Sequence, residues 1–159
     1  NITMINEGRP IFLRTTKRHF NLADFLRANL YTSLGAVKIG LDILRDEGVK
    51  VDRIMGHGGF FKTKGVGQRY LSAACEAPVT VMNTASEGGA WGIALLAAYL
   101  IDQQPQETLG DYLDQRIFAH LDGDTLNATP EEITGFQKFM KHYRAGLRVE
   151  KAAISAMDW

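Results

Sequence analysis

Between Asn21 and Leu100 the apolar residues repeatedly switch period, and this alternation narrows the fold more than any single motif. Leu22, Leu26, Leu30, Leu34, Val37, Leu41 and Leu44 fall at four-and-three spacing, one buried stripe of a helix that Asn21 caps, Asp24 supports in its first turn and Gly48 ends. Arg27, Lys38 and Arg45 lie off the stripe and are expected in solvent. Val51, Ile54 and Met55 then read as a short strand buried on its faces. Lys64 to Glu76 is helical again, with Val66, Tyr70, Leu71, Ala73 and Ala74 available for its buried side. Pro78 to Met82 reads as a second strand, its proline placed where a missing N–H costs least. A third helix runs to Leu100. Helix, strand, helix, strand, helix predicts a parallel α/β sheet with right-handed crossovers.

Ligands in such sheets bind outside the carboxyl ends of the strands. Two loops fall there, Gly56 to Thr63 and Asn83 to Gly89. In the first, Gly56, Gly58 and Gly59 remove side chains where the strand ends, so a ligand can approach bare backbone. A strand, a glycine turn and a helix start suit a nucleotide or phosphate. A tight structural turn is the competing reading. In the third helix Gly89, Ala90, Gly92, Ala94 and Ala97 would let another backbone pack closely, which makes Ala90 to Ile101 a core helix.

A chain of 159 residues buries a real core but leaves little room for two compact domains. Lysine plus arginine equals aspartate plus glutamate, 18 against 18, so no overall field draws it to nucleic acid or anionic lipid. No apolar run reaches the ~18 residues of a spanning helix. Cys75 has no internal partner, and no signal-like segment opens the sequence, so a reducing cytoplasm is expected. The first residues read as the inside of a fold, which implies a longer protein. Ile2 to Ile5 and Ile11 to Leu13 are β-prone, separated by turn chemistry, and predict a hairpin or two edge strands.

The tail is helical. Leu109, Tyr112, Leu113 and Ile117 share a face, and Thr129-Pro130-Glu131-Glu132 is a capping box with proline at the first helical position. Ile133, Phe136, Phe139, Met140 and Tyr143 continue at helical spacing, and Val149 to Met157 suggests a last short helix.

Candidate chemistry is sparse. His19, His57, His120 and His142 have no metal-like partner at i+3 or i+4, and no cysteine–histidine cluster exists, so no metal site is expected. No Gly-x-Ser-x-Gly, Walker lysine or Rossmann fingerprint occurs, and nothing announces a catalytic base. His57 is either a ligand contact or a loop histidine bonded to backbone; Lys62 either reaches a phosphate or ribose hydroxyl or is a surface lysine.

An ordered set of segments nevertheless resembles the C-terminal domain of the FGGY carbohydrate kinases. Leu26 to Tyr31 is similar to the Arg-Ala stretch of the family's long helix, Met55 to Thr63 to its adenosine motif, and Thr84 to Ala98 to the glutamate-then-Gly-Ala helix that closes the nucleotide lobe. Tyr112 to Phe118, Pro130 and Tyr143 look most like the pentulose kinase branch, the ribulokinases and xylulokinases. Phe60 and Phe61 depart from the pattern, standing where small residues are usual, and imply a narrower or aromatic-lined adenine pocket.

The resemblance implies an α/β domain of the actin-like, ribonuclease-H-like ATPase class, a C-terminal lobe with a truncated sheet and extra C-terminal helices. Residues 1–159 then form one domain, 1–104 the nucleotide-binding core and 105–159 a helical tail. It implies ATP with Mg²⁺ as cofactors, with Gly58, Gly59, Phe60, Lys62 and Thr63 at the nucleotide, and a ketopentose bound through a preceding lobe that also holds the catalytic aspartate. No nucleic acid or membrane partner is implied, and self-association of the lone chain is expected from its exposed apolar faces. Two other readings fit the residues: a non-catalytic nucleotide-binding regulator on the same fold, and a helix-rich interaction domain whose glycines serve packing alone.

Overall fold

The computed structural model describes residues 5, 7–17, 19–82, 88–120 and 123–157, with His120 described for its backbone only. Two compact units emerge. One comprises residues 1–51, 70–76 and 128–159; the other comprises residues 52–69 and 77–127.

The first unit is built on two long helices, α1 (Leu22–Asp46) and α5 (Pro130–Ala156). Asn21 caps α1 by accepting from the Asp24 N–H at 2.8 Å, and Thr129 and Glu132 form the expected reciprocal capping box at α5. The helix α5 runs unbroken through the residues expected to form a separate last helix, because nothing between Tyr143 and Val149 breaks it. Tyr31 is the hub of an aromatic cluster, with centroid distances of 4.9 Å to Phe136, 5.2 Å to Phe139 and 5.4 Å to Tyr70. Phe136 is fully buried.

The buried positions of α1 are Leu34, Gly35, Lys38 and Ile39, not the whole leucine stripe, and Leu22 is 71% exposed. Lys38, expected in solvent, is buried: its Nζ lies 2.9 Å from both Asp42 Oδ1 and Glu76 Oε1. Two carboxylates compensate the desolvation that otherwise excludes a lysine from an interior. Arg27, by contrast, keeps a half-exposed side chain. Ile11 to Leu13 forms no strand; the Phe12 ring packs instead on Phe20 and Phe25, at 5.3 and 5.5 Å between centroids. Ile2 to Met4 of the expected first strand lies outside the described residues.

The second unit carries a three-stranded sheet of order β1 (Ile54–Gly56), β2 (Val79–Met82), β3 (Gly123–Leu126). The pair β1 and β2 is parallel, as the alternation predicts, with Ile54 opposite Val79 and Gly56 opposite Val81. The third strand, absent from the sequence reading, adds antiparallel to β2, so the sheet is mixed. Helix α2 (Val66–Cys75) begins in this unit and ends in the helical one. Its buried Gln68 donates from Nε2 to the carbonyls of Val79 at 3.3 Å and Asp124 at 2.7 Å, holding β2 and β3 together from above. Val79 is fully buried, whereas Met55 of β1 is half-exposed: only β2 has the covering expected of both strands.

Helix α3 (Gly88–Asp102) follows β2. None of its residues is buried among the described residues, and Ile93, Leu100 and Ile101 are 69%, 71% and 82% exposed, so in this chain it is not a core helix. A helix apolar on every side carries no period to say which face is inward. Among the described residues no helix is long and apolar enough to cross a membrane. Helix α4 (Leu109–Tyr112), capped reciprocally by Thr108 and Asp111, continues as a π-turn over Leu113–Ile117 and a 3₁₀ turn over Phe118–His120.

Candidate functional site: the glycine turn after the first strand

Because β1 and β2 run parallel, their carboxyl ends, at Gly56 and Met82, lie at the same edge of the sheet. After Gly56 the chain makes a sharp turn at Gly58, whose φ of +92° is a conformation that L side chains rarely adopt. Residues Gly59–Phe61 then wind into a single 3₁₀ turn, closed by Phe61 N–H to Gly58 O at 3.1 Å and Lys62 N–H to Gly59 O at 3.2 Å. The amides of Gly59 and Phe60 stand outside those two bonds.

The glycines around the turn divide into two kinds. A β-carbon on Gly58 or Gly59 would meet nothing within 4 Å, so these two leave open space above the main chain. At Gly56 it would stand 2.6 Å from Phe61 Cζ, and at Gly67 it would stand 2.4 Å from the Phe60 carbonyl oxygen. Gly56 and Gly67 are therefore glycine for packing; the open pair is not explained that way.

The two phenylalanines account for the first kind. Phe61 folds back over the end of β1, while Phe60 is turned against α2 and meets Phe61 edge-on at 5.4 Å. Their rings brace the turn from the protein side. Lys62 and Thr63 are exposed beyond it.

A cavity of about 260 Å³ opens beside the turn, lined by His57 with Trp91, Leu95, Leu109 and Phe118 among others. Its walls are apolar apart from His57. Gly58, Gly59, Phe60, Lys62 and Thr63 do not line it, so the residues expected at a nucleotide sit together on an open turn rather than around an enclosed chamber. Sequence reading did not single out Trp91 or Phe118 for this cavity, whose rings approach to 6.1 Å; their spacing along the chain carries no signal of that meeting. The second expected loop falls at residues 83–87, outside the described residues, and only its end at Gly88 and Gly89 is seen.

No group of three or more His, Cys, Asp or Glu side chains suited to a metal ion occurs among the described residues. His19, His57 and His142 are each exposed and apart from such partners.

The family model for the C-terminal domain of the FGGY family of carbohydrate kinases matches residues 1–101. This chain belongs to that family. The match spans α1 through nearly all of α3 and includes the glycine turn; β3 and α5 lie beyond it. FGGY C-terminal domains have the actin-like, ribonuclease-H-like ATPase fold, and the small mixed sheet with its helices is consistent with a truncated α/β domain of that class. FGGY kinases are ATP-dependent phosphotransferases acting on carbohydrates, generally with Mg²⁺. Comparison with curated proteins and with solved structures gave no match.

Proposed function

We propose that this chain is the nucleotide-binding lobe of a kinase that transfers the γ-phosphate of ATP to a ketopentose, ribulose or xylulose. The observation that carries the nucleotide half is the open space over Gly58 and Gly59 at the carboxyl end of a parallel strand; the φ of +92° accounts for glycine at residue 58, whereas neither backbone nor packing calls for glycine at residue 59. The adenosine would lie against that bare backbone. Phe60 supports the floor of the turn, and Lys62 and Thr63 offer an ammonium and a hydroxyl to phosphate or ribose. The ketopentose half rests on the resemblance of Tyr112 to Phe118, Pro130 and Tyr143 to the pentulose branch.

In this reading residues 1–159 form one lobe, with 1–104 the nucleotide core and 105–159 the helical tail. Mg²⁺ is assigned to the nucleotide as it binds in the intact enzyme. Phosphoryl transfer depends mainly on positioning and charge stabilisation, and this lobe's share is to fix the nucleotide. The base that deprotonates the sugar hydroxyl is assigned to the preceding lobe, and this chain by itself is expected to phosphorylate no pentulose. The enzyme is placed in the cytoplasm, with ATP, ADP and the sugar as its partners and a homo-oligomer compatible with the exposed apolar faces.

The test is Gly59→Val in the intact kinase. Gly59 does not have a positive φ and a β-carbon there meets only open space, so the variant is expected to fold. A branched side chain would nevertheless occupy the ligand's place, and the ATP Michaelis constant should rise at least tenfold while the sugar constant stays within about twofold. An unchanged ATP constant in a folded variant would overturn the site. Ribulose and xylulose should be turned over in preference to hexoses and glycerol; the reverse order would overturn the ketopentose assignment alone.

A further inference from the structure

The glycine turn meets the start of α3 where His57 lies against Gly88. A β-carbon on Gly88 would stand 3.2 Å from both Cβ and Nδ1 of His57 and 3.4 Å from Cγ, so the imidazole lies directly on the α-carbon of Gly88. Gly89, one residue on, has nothing within 4 Å. His57 is the residue between Gly56, which Phe61 pins, and Gly58, whose left-handed backbone starts the turn. His57 and Gly88 both line the apolar cavity.

We propose that His57 is a positioning residue whose ring, wedged against Gly88, sets the separation between the nucleotide turn and the first turn of α3. The inference rests on the assignment of the nucleotide to Gly58 and Gly59. Its physical basis is the close contact of the His57 side chain with the α-carbon of Gly88. Gly58 and Gly59 have no side chain, and the Phe60 and Phe61 rings hold the turn against β1 and α2. His57 is the side chain of the turn that lies against Gly88 at the start of α3. A methyl group at residue 88 cannot be accommodated without displacing that ring by a few tenths of an ångström. The displacement passes through one peptide bond to Gly58, where no side chain resists it.

The experiment is a double-mutant cycle in the intact protein with Gly88→Ala, His57→Ala and the combination. ATP binding in the presence of Mg²⁺ is measured by calorimetric titration, and thermal unfolding confirms that each variant is folded. Gly88→Ala is expected to weaken ATP binding roughly three- to tenfold when His57 is present, because misplacement of a positioning group is costly. In the His57→Ala background the same change should cost less than about twofold, since the small side chain at residue 57 leaves room for the methyl. His57→Ala alone should weaken ATP binding about threefold, with sugar affinity unchanged.

Equal losses from Gly88→Ala in both backgrounds, or no loss in either, would overturn the proposal. If Gly88→Ala does not fold, His57→Ala decides it, and unchanged ATP affinity overturns the positioning role. Gly59→Val in the same series separates the two levels. Weakened ATP binding in Gly59→Val with additive behaviour at residues 57 and 88 removes only the wedge. Unaltered binding in Gly59→Val removes the nucleotide site and the wedge with it.

Discussion

The ring of Phe61 lies on the α-carbon of Gly56, at a spacing that would put a β-carbon 2.6 to 2.9 Å from three of its ring atoms. The last residue of β1 is thus covered by the turn it leads into. Gly56→Ala should destabilise the chain by about 1–3 kcal/mol through overpacking, read as a lower urea midpoint with an unchanged slope. In a Phe61→Leu background the further cost of the methyl should fall below about 1 kcal/mol. Equal costs in both backgrounds would mean that the ring is not the obstacle.

Acid should act on the helical unit through Glu76. Burial alone would raise its pKa, but hydrogen bonds from Lys38 and Gln137 and the charges of Lys38 and Arg45 outweigh burial and hold it below the usual carboxylate range. A carboxylate with a depressed folded pKa contributes stability above its unfolded value, about 4.3, and that contribution is lost as pH falls through the folded value. Glu76→Gln should therefore cost about 1–2 kcal/mol near neutrality and much less at pH 3. Urea unfolding across pH 3 to 7 checks this; parallel curves for the two proteins would contradict it.

Two helix glycines should respond in opposite directions. At Gly35 a β-carbon would stand 2.6 Å from Tyr143 Cζ, so Gly35→Ala forces α1 and α5 apart and should lose about 1–3 kcal/mol. At Gly92 it would meet nothing within 4 Å, so Gly92→Ala should gain about 0.5–1 kcal/mol from helix propensity. Denaturant unfolding of the two variants side by side is the measurement. A destabilising Gly92→Ala would restore the close-packing role that the sequence suggests for that glycine.

Cys75 should be chemically silent while the chain is folded. Burial pushes its thiol up to about 11, against a weaker opposing effect of Lys38 and Arg45. At pH 8 the thiolate fraction is then about two orders of magnitude below that of a free cysteine. Iodoacetamide should label the urea-unfolded chain rapidly and the native chain only at the rate of unfolding. Rapid labelling of the native chain would show the site to be open.

The parts of the fold legible in the sequence are those specified locally. Asn21 with Asp24 and Thr129 with Glu132 announce their helices within one turn, and the runs ending at Gly56 and Met82 are bounded by glycine and proline. The strand β3 is different: Gly-Asp-Thr-Leu has no alternation to read, and it is held by backbone pairing to β2 and a 2.7 Å bond between the Thr80 and Thr125 hydroxyls. The burial of Lys38 is illegible for a similar reason, since one carboxylate that admits it to the interior is Glu76, 38 positions away. At the candidate site the glycines are visible in the sequence, but not the division into open and covered ones. That division depends on which ring stands opposite each α-carbon, and no spacing rule encodes it.

The pairing of the first long helix with the last has a consequence in time. Asp42 of α1 bonds Arg144 of α5 at 2.6 Å across 102 positions of chain. At ~5–20 residues per second, a growing polypeptide takes roughly 5–20 s to supply that partner. During that interval Gly35 lacks Tyr143 and Tyr31 lacks Phe136, so α1 waits on the ribosome with its inward face wet. The helical unit closes only when α5 emerges to supply Tyr143, Phe136 and Arg144.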